Sequence, residues 1–144
     1  MISFSFLRIK LRKRAYQNNS GDTGYYLCFH LPENIDDNTA ISKGREIAKD
    51  LKDKGFNVWF LHDFEVHIYY NIEPLVKKFP MNDGSPWEDP KNSFHTQYKY
   101  DRGALPNLDH LLIRTIGLNM PSKMSDNTRD NMMNDLLVTL KNLY

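Results

Sequence analysis

Four side chains in this sequence combine the types that handle a phosphate with a spacing that could gather them. His95 and Lys99 fall at even spacing in FHTQYKY, residues 94–100. A strand there would set them on one face with Gln97 between. Arg102 follows at a turn, and His67 would face them from a neighbouring strand. Metal-free phosphodiester cleavage needs a base and an acid titrating near neutrality, plus a cation for the phosphate. His67, His95, Lys99 and Arg102 are therefore the candidate catalytic set. The same alternation is also how a solvated strand face reads. No Walker loop, G-x-G-x-x-G, H-E-x-x-H, C-x-x-C or G-x-S-x-G occurs in the chain.

Metal chemistry has less to work with. The histidines are His30, His62, His67, His95 and His110. No two are spaced i, i+2 for a strand or i, i+4 for a helix. Cys28 and His30 share a strand face, but one such pair falls short of the four ligands of a structural zinc site. No metal and no cofactor are expected. Cys28 is the only cysteine, so no internal disulfide forms, which suits a reducing compartment.

A second constellation is made of rings and cations. Arg8, Lys10, Arg12, Lys13 and Arg14 put five cations and no acid in the first fourteen residues. The rest of the chain holds 14 Lys and Arg against 18 Asp and Glu. Basic character is thus local, which points to one defined patch and away from a general nucleic-acid coat. Charges at alternate positions also guard an edge strand against pairing with another chain. The chain has eight Tyr, eight Phe and two Trp, and such rings fill cores and dominate binding surfaces.

The elements that would position these residues follow from hydrophobic periodicity. Ile2, Phe4 and Phe6 alternate with serines, then Leu7, Ile9 and Leu11 alternate with Arg8, Lys10 and Arg12. This predicts a first strand with a bulge near Phe6, or one buried on both faces at its start. Residues 25–31 predict a second strand, with Tyr25, Leu27, Phe29 and Leu31 on one face and Tyr26, Cys28 and His30 on the other. Ala40, Gly44, Ile47, Ala48 and Leu51 predict a helix over 40–54, capped by Asn38 or Thr39 and stopped by Gly55. Strands are expected at 56–61 and 64–70, joined as a hairpin at His62-Asp63, and a fifth at 94–100. Helices are expected at 107–116, stopped by Gly117, and at 126–143, capped by Ser125. Residues 71–93 hold four prolines and Trp87 and read as a long binding loop or a tolerated insertion.

In sum the order β-β-α-β-β-loop-β-α-α predicts one α+β domain over residues 1–144, a two-layer sandwich. Its mixed sheet would have about five strands, with helices mainly on one face and a parallel β-α-β crossover from the second strand to the third. The strand–helix–"LKDKGFNVWF" stretch of residues 25–60 resembles the opening unit of a flavodoxin-like domain such as a TIR domain. No glycine-rich phosphate loop follows its first strand, and another strand begins at once after its third. The chain is therefore not assigned to that family.

The sheet face opposite the helices then gathers Arg8, Lys10, Arg12, Tyr26, Cys28, His30, Trp59, His67 and Tyr69, with Trp87 as anchor of the loop. The expected function is a non-catalytic binding protein, such as a small inhibitor or immunity-type module, engaging one macromolecular partner. The binding residues are Arg8, Lys10, Arg12, Tyr26, His30, Trp59, Tyr69 and Trp87. A protein partner is preferred over single-stranded nucleic acid, and a homodimer would use the same surface. The alternative is a nucleic-acid or nucleotide binder, or an RNase-like phosphodiesterase, using His67, His95, Lys99 and Arg102. No apolar run approaches the ~20 residues of a membrane span. The first residues lack the layout of a secretory signal, so a cytoplasmic location is expected.

Overall fold

Asp36 starts the first helix. Its backbone is extended, and its carboxylate accepts from the Thr39 N–H at 2.9 Å and from the Thr39 hydroxyl at 2.6 Å. This satisfies a donor that the first helical turn leaves unpaired. Helix α1 therefore spans Asp37–Asp53, three residues earlier than the apolar period alone indicates. Its buried stripe is Ala40, Gly44, Ile47, Ala48 and Leu51. The helix ends as a Schellman motif: Gly55 lies at φ +87°, its N–H donates to Lys52 O at 2.9 Å, and the Phe56 N–H donates to Leu51 O at 3.0 Å.

The computed structural model describes residues 10–11 and 25–142, with side chains at 10, 11 and 94–96 set aside. The start of the expected first strand with its bulge, Arg8, Arg12, the turn-rich residues 17–24 and Leu143 lie outside the described residues. By contact density the chain divides into two units, residues 1–63 with 111–144, and residues 64–110.

The first unit holds a sheet of strands β1 (Lys10–Leu11), β2 (Tyr26–His30), β3 (Val58–Phe60) and β4 (Thr115–Asn119), in the order β1-β2-β4-β3. Every ladder is antiparallel. The class is α+β, but the five-stranded mixed sheet is not found. Strands β2 and β3 both oppose β4, so they run in the same direction with β4 filling the gap between them. The crossover through α1 is present, and the adjacent parallel pair expected from it is not.

Register fixes the two faces. Leu27, Leu118 and Val58 form one row, and Phe29, Ile116 and Phe60 the next. These residues pack with Leu31, Ile47, Leu51, Leu136 and Leu140 into one apolar core. Helix α4 (Asp126–Asn142) starts where expected, the Ser125 hydroxyl accepting from the Thr128 N–H at 3.1 Å. It is pinned to α1 by a polar triad. Lys54 donates to Asp50 at 2.7 Å and to the Thr139 hydroxyl, which in turn donates to Asp50. Thr139 is only 1% exposed, so burial makes that closed set of bonds necessary.

Four expected features give way. Residues 64–70 are not a strand: His67 takes φ +62°, and Tyr69–Asn71 form a 3₁₀ turn. Phe64 and Val66 are exposed, so their alternation with polar residues marks no buried face. The hairpin at His62-Asp63 is replaced by a 3₁₀ turn, Leu61–Asp63, in which Arg45 binds the Asp63 carboxylate through two bonds of 2.8 and 2.9 Å. Residues Pro90–Gln97 form 3₁₀ turns kinked at Asn92 where the fifth strand was expected. Asp89 opens that stretch by accepting from the Lys91 N–H at 2.8 Å, a local bond that competes with strand pairing. The helix expected over 107–116 stops at Leu112, and its last residues belong to β4.

The second unit is organised around Tyr69. Its hydroxyl donates to the Asp109 carboxylate at 2.9 Å and accepts from the N–H groups of Gly103 at 3.1 Å and Leu105 at 3.3 Å. The Trp87 and Tyr100 rings meet edge to face at 6.2 Å. Short helix α2 (Glu73–Val76) and helix α3 (Pro106–Leu112), whose last two residues belong to the first unit, complete the described helices. Among the described residues no helix is long and apolar enough to cross a membrane.

Candidate interaction face

Opposite the core-facing rows, the registers set Tyr26 beside Asn119, Gly117 between Cys28 and Trp59, and His30 beside Thr115. The backbone of Lys10 pairs with His30. Four of the residues assigned to one face from sequence parity, Tyr26, Cys28, His30 and Trp59, therefore share a face of this sheet.

The central strand explains how the indole lies there. A methyl on Gly117 would fall inside Trp59, almost equidistant from Cε2, Cζ2 and Cη2. Near-equal distances to three consecutive ring atoms place the ring face-on to the glycine. Its Nε1–H donates to Asn119 Oδ1 at 3.2 Å, which fixes its rotation. Tyr26 stands at 84° to Trp59 with centroids 5.9 Å apart, and Tyr25 at 77° to Tyr26 with centroids 4.4 Å apart. Tyr25 is 61% and Tyr26 56% exposed. Desolvation, and next the neighbouring Tyr25, hold the Tyr26 phenol above its ordinary pKa.

His30 is oriented by a relay. The Thr115 hydroxyl donates to Leu111 O at 2.7 Å, so toward His30 Nδ1, 2.8 Å away, it acts as an acceptor. Nearby, Arg114 is 3% exposed and donates to Ile35 O at 2.7 Å and to Asp37 Oδ1 at 2.9 Å. It ties the loop before α1 to the start of β4.

The remaining sequence-derived candidates are elsewhere. Tyr69 is buried in its bonds to Asp109 and belongs to a 3₁₀ turn of the second unit, and Trp87 is half-buried beside Tyr100. His67 sits exposed in a turn, Lys99 is exposed, and Arg102 lies over the Tyr70 ring at 4.8 Å while donating to its hydroxyl at 3.0 Å. The strand that was to align His95, Gln97 and Lys99 is absent, and with it the geometric reason to group them with His67. Among the described residues no three His, Cys, Asp or Glu side chains form a metal-binding group.

Sequence reasoning missed Tyr25, Thr115, Gly117 and Asn119. Tyr25 precedes the first paired residue of β2 and so escapes the parity that assigned it to the core side. The other three belong to β4, hidden in a five-residue run that reads as a helix end. Comparison with family models, with curated proteins and with solved structures finds no match for this chain.

Proposed function

We propose that this chain is a non-catalytic binding protein, of the inhibitor or immunity type, that engages one protein partner. The contact face is that of Tyr26, His30 and Trp59, with Arg8, Lys10 and Arg12 supplying charge. The observation that carries this reading is the ring set Tyr25–Tyr26–Trp59, two of whose members are more than half exposed on a sheet face turned away from the core. Tyr, Trp and Arg are the favoured anchors of protein interfaces. The five cations among the first fourteen residues favour an acidic surface on the partner.

The ring geometry favours protein over single-stranded nucleic acid. A strand of bases stacks on ring faces offered side by side. Here neighbouring rings stand at 84° and 77° to one another, so they offer no row of parallel faces to successive bases.

The test is native mass spectrometry of the purified chain with whatever accompanies it, together with the ratio of absorbance at 260 to 280 nm. A protein companion, released by Tyr26→Ala with at least a tenfold loss of affinity (about 1.4 kcal/mol), is the expected result. An oligonucleotide companion overturns the protein assignment. Turnover of RNA, DNA or a cyclic nucleotide that disappears in His95→Ala overturns the non-catalytic reading.

A further inference from the structure

We draw no further inference here: the strongest candidate, the exposed apolar surface that Phe79 and Met81 carry in the unit of residues 64–110, has nothing in the structure to show what covers it.

Discussion

The Thr115 hydroxyl lies 2.8 Å from His30 Nδ1 and 2.7 Å from Leu111 O. Its single proton can serve one of them, and since the carbonyl can only accept, His30 is expected to donate. The neutral ring is then expected to be the Nδ1–H tautomer. Nitrogen-15 chemical shifts of His30 above its titration midpoint check this directly, and an Nε2–H pattern would contradict the relay. Thr115→Val keeps the shape and removes both bonds. Leu111 O keeps its bond from the Arg114 N–H at 3.1 Å. The change therefore costs what two ordinary bonds at a part-buried hydroxyl contribute, about 0.5–1.5 kcal/mol each, readable as a lower denaturation midpoint.

Gly117 and Trp59 are fitted to each other, so they should not respond independently. Gly117→Ala pushes a methyl into the indole and must displace the ring, at a cost of about 1–3 kcal/mol for overpacking. The displaced indole also loses its bond to Asn119, which tryptophan fluorescence reports. Once Trp59→Ala is in place, the same Gly117→Ala change should cost far less. Additive effects in that double-mutant cycle would mean the ring does not lie over the glycine.

The parts of this geometry that sequence revealed are those where one face is buried and the other is not. Tyr26–Leu31 alternates because β2 has a core side and an opposite side, and α1 shows its stripe from Ala40 to Leu51 for the same reason. Strand β4 escaped because Thr115, Ile116, Gly117 and Leu118 are all buried. A short apolar run without alternation is compatible with strand or helix, and Gly117 then passed for a helix stop. The opposite error occurred at 64–70 and 94–100, where alternation exists without a strand. Phe64 and Val66 are exposed while the adjacent Ile68 and Tyr69 are both buried, so burial does not follow the period of two. There Asp63 and Asp89 make local side-chain bonds that no hydrophobic period reports. The candidate face was legible in its β2 and β3 residues, and illegible in those supplied by β4.

Asp63 gives a prediction in pH. The Arg45 guanidinium, and after it His62, hold its carboxyl at about 2, below the usual 3.8. The folded value is depressed, so the stability Asp63 contributes is complete above the unfolded value. It is lost as pH falls from about 4 through 2. The pair is partly exposed, which limits the contribution to less than about 1 kcal/mol. In Arg45→Ala the Asp63 midpoint, followed by carboxyl carbon-13 shifts, should rise toward about 3.9. Stability at neutral pH should change little. An unmoved midpoint would show that Arg45 does not grip Asp63.

Residues 64–110 are inserted into what is otherwise a connection between neighbouring antiparallel strands. Phe60 ends β3 directly opposite Ile116 near the start of β4, so a short turn is enough to join them. The core of the first unit draws its buried residues from Phe29 to Phe60 and from Ile116 to Leu140, none of them in the insertion. Replacing residues 64–110 by a glycine-containing linker should therefore leave a chain that unfolds cooperatively, with the far-ultraviolet signal of α1 and α4 and the dispersed amide spectrum of a packed core. A collapsed, non-cooperative product would show that the insertion supplies stability the first unit lacks. The shortened chain also locates the contact surface. Partner binding retained after excision places the contacts on the face of Tyr26 and Trp59, whereas a folded chain that no longer binds moves them to the region around Trp87.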